Sequence, residues 1–296
     1  AVVFVWTTRA PRPGPPVAQA PGTGARWAVE CISGSLQIEE ESVTDRGLLA
    51  AGQRLATEDG SRARVAIGDI GEVELEPNSR VRLVGVTGDE HRLALERGTM
   101  RAFIWAPPRQ FVVETPSAIA TDLGCSYLLA VDERGAGRIE VTSGWVAFEH
   151  EGRESFVPAD AVCRTEPVLG PGTPHYADAP PELVAALGAF DFLDLDDERK
   201  RAALRKVLTT ARRADAFTLW HLLTRAPADQ RDAVYDALFA LVRPPTGVTR
   251  AGVARGDRVM LDLWWNSLGL GEADWWRMWE GPAPGSSGSP GSPGAH

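Results

Sequence analysis

Apolar and polar residues alternate in short runs over the front part of the chain, from about Trp27 to Arg164. Such alternation is typical of β-strands with one face buried and the other in solvent. About eight strands at spacings of roughly 8–12 residues predict a sandwich, a barrel or a solenoid. Turn-forming residues separate the runs, and one of the predicted turns is Arg97-Gly98. The clearest runs span residues 62–67, 71–76, 80–84, 91–95, 110–114, 126–131, 138–141 and 145–150.

The pattern changes after Pro180-Pro181, where apolar residues begin to recur with the helical period of about 3.6. Residues 196–213 form an amphipathic stretch with acidic residues first and basic residues last, which the helix dipole favours. Asp215 is a candidate N-cap for a helix over residues 216–225. A further helix is expected to end before Pro244-Pro245. The second half therefore predicts a small bundle of about four helices.

The two ends of the chain differ from the rest. Residues Ala1–Trp6 are apolar, and a Pro-rich stretch follows them. Because about 20 apolar residues are needed to cross a bilayer, we expect the outer end of a truncated transmembrane helix followed by a stalk. The alternative is a piece of a core strand. Residues 281–296 consist mainly of Gly, Ser and Pro and predict a disordered tail.

Six short motifs follow one another in the front half. They are Asp-Gly-Ser at 59–61, Pro77-x-Ser79, Leu-Ala-Leu-Glu-Arg-Gly at 93–98, Phe-Val-Val-Glu-Thr at 111–115, Leu-Gly-Cys-Ser-Tyr at 123–127 and Val-Thr-Ser-Gly-Trp-Val at 141–146. Their order resembles that of the FecR domain, the periplasmic sensor portion of regulators of sigma factors, and the resemblance covers about residues 45–165. One departure is Gly124-Cys125-Ser126-Tyr127, where the family usually has Gly-Thr-x-Phe.

The resemblance implies a β-rich sensor outside the inner membrane, built as a β-solenoid-like fold or a twisted two-layer sheet. In that family a single transmembrane helix precedes the domain, and a short cytoplasmic part acts on the sigma factor. Members of the family end in a mixed α/β module that meets an outer-membrane transporter. A helical segment stands in its place here, so no transporter partner or iron signal is expected.

The expected fold class is therefore α+β as separate regions, an all-β FecR-like domain followed by a small all-α bundle. We expect four parts in the chain. They are residues 1–26 as the truncated helix and linker, 27–168 as the β domain, 181–280 as the helical domain and 281–296 as the tail.

Two of the three cysteines, Cys125 and Cys163, lie at the edges of predicted strands. In an oxidising periplasm they could form a disulfide that closes the loop between them. The alternative is two separately buried thiols, because unpaired cysteine is among the most buried residue types. Cys31 is expected to be a buried strand residue.

Five tryptophans lie close together near the end of the helical segment. They fill the bundle core or dock it on the β domain, or they form an exposed patch for a partner. Neighbouring residues point about 100° apart on a helix, so one member of each adjacent pair is expected at an edge or interface. The five are Trp264, Trp265, Trp275, Trp276 and Trp279.

No pattern of catalytic or cofactor-binding residues is present. The five histidines lack the spacing of metal ligands, and His221 is expected to be a core or edge histidine. No nucleophile elbow or phosphate-binding loop occurs. The acidic run at residues 191–198 is interpreted as a solvated helix start rather than a calcium loop. We therefore expect no cofactor, no metal and no enzyme, with a hydrolase hidden in the β half as a remote alternative.

The net charge of −9 argues against a nucleic-acid binder. The favoured function is signalling by a single-pass inner-membrane protein, with residues 7–296 outside and a sigma factor contacted through a region before Ala1. The ligand or protein sensed outside is unknown. The alternative is a cell-envelope binding or structural module with no transcriptional output.

Overall fold

The structure is a computed structural model that describes residues 24–271. Strands occupy the first part of this range and helices the second, which confirms the α+β class with separate regions. The predicted membrane segment, most of the Pro-rich linker, the tail, and Trp275, Trp276 and Trp279 lie outside the described residues. Within residues 24–271, no helix is both long and apolar enough to cross a membrane.

The strands are β1 (Arg26–Ser33), β2 (Leu36–Ile38), β3 (Glu41–Val43), β4 (Arg46–Ala50), β5 (Arg54–Thr57), β6 (Arg62–Ile67), β7 (Gly71–Leu75), β8 (Arg80–Thr87), β9 (Glu90–Ile104), β10 (Phe111–Glu114), β11 (Ile119–Asp122), β12 (Ser126–Val131), β13 (Gly137–Ser143), β14 (Trp145–His150), β15 (Arg153–Pro158), β16 (Ala161–Glu166), β17 (Gly170–Pro171) and β18 (His175–Tyr176). The helices are α1 (Pro181–Phe192), α2 (Asp197–Thr210), α3 (Ala216–Arg225), α4 (Arg231–Leu241), α5 (Arg250–Ala254) and α6 (Arg258–Asn266).

The strands form two sheets that share β9. The first sheet has the order β4-β1-β6-β7-β9-β12-β13-β16, with β17 and β18 on β16. The second sheet has the order β3-β2-β5-β8-β9-β10-β11-β14-β15. Alternate residues of β6, β7 and β8 are buried, and one hydrophobic cluster joins residues of both sheets. The β part is thus a sheet folded over into two layers.

The turn expected at Arg97-Gly98 is wrong. Strand β9 runs unbroken from Glu90 to Ile104; its first half pairs with β8 and β10, and its second half with β7 and β12. Gly98 lies where the strand passes from one sheet to the other, with φ at 92°. A Cβ at this position would collide with Ser79, so glycine allows the close approach. The glycine redirects a strand instead of ending it.

The helices begin where the period changes. Helix α2 is capped by Asp196, whose carboxylate accepts a hydrogen bond from the backbone N–H of Arg199. Helix α3 starts after Asp215, which is its N-cap residue as expected, but the side chain makes no capping hydrogen bond to α3. The Asp215 carboxylate is buried and instead accepts from the guanidinium and the backbone N–H of Arg212. Residues 216–223 of α3 are all buried, so α3 is the central helix of the bundle.

Candidate functional site

The helices join the sheets along β15, the last strand of the second sheet. Within the described residues β15 is paired with β14 alone, and its other edge faces α3. An open strand edge has N–H and C=O groups that need partners. Two side chains one turn apart on α3 provide them. His221 Nε2 accepts from the Phe156 N–H at 3.1 Å, and the Arg225 guanidinium donates to the Glu154 carbonyl at 2.6 Å.

His221 is a structural histidine. Because Nε2 accepts a hydrogen bond, Nδ1 must be protonated, and it donates to the Phe217 carbonyl at 2.8 Å. Burial, together with the nearby Arg225 charge, lowers the pKa of His221 to about 3. The ring therefore stays neutral at physiological pH. This confirms the expectation of a core or edge histidine.

Arg225 is the centre of a buried polar network. Its guanidinium also donates to Ser155 Oγ at 2.6 Å and to Thr173 Oγ1 at 3.1 Å. Thr173 Oγ1 in turn donates to the Asp191 carboxylate at 3.2 Å, and Asp191 pairs with Arg153 at 2.7 Å. Burial lowers the pKa of Arg225 to about 10, so the side chain remains charged at neutral pH. The network links β15, α1, α3 and the segment before β18.

The adjacent tryptophans of α6 are both fully buried, and they belong to the one hydrophobic cluster that joins sheets and helices. The Trp265 ring lies 4.8 Å from Trp220 and 5.8 Å from Trp145 of β14, centroid to centroid. The Trp264 ring packs 5.0 Å from Tyr235, within the helical bundle. Trp265 therefore lies at the interface between helices and sheets, in agreement with the expected edge or interface position for one member of the pair, and neither ring is exposed. Because α6 lies between the bundle and the sheets, side chains about 100° apart are both covered.

The expected disulfide between Cys125 and Cys163 is not formed, and both cysteines are buried free thiols. The strand register explains this. Strand β13 lies between β12 and β16; its Ser143 pairs with Ser126, whereas its Ile139 pairs with Cys163. These two positions are ~13 Å apart along β13, at ~3.3 Å per residue. A disulfide needs Cα atoms within about 7 Å.

Protein recovered from the periplasm should therefore contain three free thiols, and a reducing agent should not change its thermal midpoint. Mass spectrometry under non-reducing conditions, with alkylation after unfolding, measures the thiol count. A disulfide-linked peptide that joins Cys125 to Cys163 would contradict the register argument.

A second buried polar cluster lies at the end of β11. One oxygen of Asp122 accepts from the Gly124 N–H at 2.7 Å, and the other accepts from Cys125 Sγ at 2.6 Å. No cation pairs with Asp122 in the described part of the chain, and burial raises its pKa to about 7. The hydroxyl of Tyr127 is buried close by, with no hydrogen-bond partner among residues 24–271.

Sequence reasoning missed Asp122, although a signal was available. Both departures from the usual family pattern in this segment, Cys125 and Tyr127, add a polar group to the same buried region as Asp122. Within the described residues, no three or more His, Cys, Asp or Glu side chains are placed to hold a metal ion.

Comparison with known proteins identifies a family for part of the β region. Residues 53–147 match the family described as FecR protein. Among curated proteins, none matches the chain. Two crystal structures of a "putative anti-sigma factor" from Parabacteroides distasonis ATCC 8503 are similar, each at 17% identity, a TM-score of 0.37 and 45% of this chain. The match spans 63% and 62% of those two chains, which is less than two thirds of their length. Residues 53–147, which run from β5 into β14, are a FecR domain.

Proposed function

We propose that this chain is the sensing part of a single-pass inner-membrane regulator of a sigma factor, and that it works outside the membrane. The FecR domain at residues 53–147 carries the proposal. Proteins with this domain are usually inner-membrane proteins whose FecR domain is periplasmic.

The junction between sheets and helices supports a signalling role for the β region and the helices together. A signal requires that a ligand or partner bind two states of the protein with different affinity. Phe156 and Glu154 of β15 are hydrogen-bonded directly to His221 and Arg225 of α3. A displacement of β15 therefore breaks its hydrogen bonds to α3. In this way a structural change in the second sheet reaches the helices.

The ionisable groups of the junction have internal partners, which favours a structural role for them over a catalytic one. His221 has a protein partner on each ring nitrogen, and the guanidinium of Arg225 has three acceptors. Burial raises the pKa of the Cys163 thiol to about 12, which disfavours the reactive thiolate. These side chains hold the fold together and are closed to a substrate.

The test is a comparison of transcripts in the source bacterium with and without the gene for this chain. Loss of the gene should change one set of genes that share a sigma factor, and the wild-type gene should restore it. Alkaline phosphatase joined to the chain end should be active, since it folds only outside the inner membrane. Unchanged transcripts together with an envelope defect would favour the envelope-binding alternative.

A further inference from the structure

Helix α1 has two apolar faces, and residues 24–271 cover only one of them. A helix that is apolar all round is normally buried all round. One face packs into the core, whereas the other lines an open groove against β16 with a volume of about 810 Å³. The covered face carries Leu183, Ala186 and Leu187, and the groove face carries Val184, Ala185, Gly188, Ala189, Phe192 and Leu193.

The rim of the groove also holds apolar side chains in solvent. The turn after β16 presents Val168 and Leu169, which are 85% and 45% exposed. Val168 has a φ of 70°, a conformation that a β-branched residue rarely adopts. Leu169 lines the groove together with Leu193 of the opposite wall, which is also exposed. Core packing gives no reason for this arrangement.

The floor of the groove is flat enough for another backbone to come close. A Cβ added to Gly188 would have Arg164 Nη1 as its nearest atom, at 3.9 Å. With alanines at 185 and 189, this surface suits a packed helix, for which axes lie about 8–10 Å apart. Helix α1 has 12 residues and is ~18 Å long, so about three turns of a second helix fit along it.

The charged side chains beside the groove indicate which residues flank the apolar stripe of the bound helix. Arg134 and Arg164 are 84% and 54% exposed at the side chain. Within the described residues both form only long ion pairs without a hydrogen bond, Arg134 with Asp132 at 3.7 Å and Arg164 with Glu166 at 3.6 Å. The Arg164 guanidinium also lies over the Phe192 ring. Arginine binds carboxylates strongly through two parallel hydrogen bonds. Acidic side chains on the bound helix would therefore be favoured.

A second copy of this chain fits the groove less well. Arg164 lies beside Gly188. A two-fold axis through the groove would bring the Arg164 side chains of both copies together. Two like charges at the centre of an interface oppose association.

We propose that the groove between α1 and β16 is the docking site for an amphipathic helix of a partner protein. That helix has an apolar stripe of about three turns and acidic residues beside the stripe. The proposal does not depend on the sigma-factor role, because it rests on the surface alone.

Two synthetic helical peptides test the docking site with the full chain. They share one Leu/Ala stripe, and the flanking positions are all Glu in one and all Lys in the other. Fluorescence anisotropy should show saturable binding of the Glu peptide, with a Kd about tenfold below that of the Lys peptide. The double variant R134E/R164E should reverse this preference, since both side chains are exposed.

Filling the groove provides the matched test. Gly188→Trp should weaken binding of the Glu peptide about tenfold or more, because the indole occupies the groove. The control Ala240→Trp, at an exposed position of α4, should bind like wild type. Circular dichroism checks that both variants are folded. If Gly188→Trp does not fold, the peptide preference of the R134E/R164E variant is the deciding measurement.

Three results would overturn the proposal. The first is an absence of saturable binding of the Glu peptide to the wild-type chain. The second is equal binding by folded Gly188→Trp, or an unchanged preference in R134E/R164E. The third is a dimer in light scattering that Gly188→Trp dissociates, which would make the occupant a second copy.

Discussion

Replacing Arg225 by alanine is expected to lower the free energy of unfolding by about 3–5 kcal/mol. The guanidinium is partly buried and donates to Glu154, Ser155 and Thr173. Its removal leaves these acceptors without a donor, opens a cavity at the junction and takes a positive charge from near Asp191. Urea unfolding at pH 7, followed by tryptophan fluorescence, measures the loss.

The matched control is Arg201→Ala. Arg201 pairs with Asp229 at 2.7 Å, but both side chains are about half exposed, so the pair contributes at most about 1 kcal/mol. If Arg225→Ala also costs less than about 1 kcal/mol, the junction is held by its aromatic contacts and not by the network around this arginine.

The second large effect concerns Asp122 and pH. The carboxyl has an ordinary pKa of 3.8, and burial raises the pKa to about 7 in the folded protein. Between about pH 4 and pH 7 the folded state holds a proton that the unfolded state has lost. The contribution of Asp122 to the free energy of unfolding is therefore largest below about pH 4. Between pH 4 and pH 7 it declines by about 1.4 kcal/mol per pH unit, which is roughly 4 kcal/mol in total. Above pH 7 it stays at the lower level.

Asp122→Asn should remove this slope. The amide oxygen can still accept from the Gly124 N–H, and no buried charge forms at high pH. The variant should be close to wild type at pH 4 and more stable than wild type at pH 8. Urea unfolding at several pH values, with the exposed Asp194→Asn as control, measures the difference.

The comparison with the variant is needed because histidines act in the opposite direction. Burial lowers the pKa of His91, His175 and His221, so each costs stability as the pH falls below its ordinary value of 6.5. These contributions are the same in wild type and in Asp122→Asn and cancel in the difference. Parallel stability curves for the two proteins would show that Asp122 is not protonated near neutral pH.

The strands with clear alternation were predictable from the sequence. The runs 62–67, 126–131 and 145–150 have the same bounds as β6, β12 and β14, and the change of period at Pro181 is the start of α1. The FecR domain was also recognisable, because its motifs occur in order along the chain. All of these are properties of neighbouring residues, and backbone geometry converts a local period directly into a strand or a helix.

The junction and the buried clusters were not predictable, because they depend on which distant segments meet. Nothing local to Phe156 indicates that its N–H is bonded to His221, 65 residues later. The disulfide expectation failed because strand register places Cys125 and Cys163 far apart. Trp264 and Trp265 are both covered because α6 lies between the sheets and the other helices. The sequence by itself determined the strands, the helices and the family; the tertiary structure decided pairing, register and burial, since these depend on contacts between residues far apart in the chain.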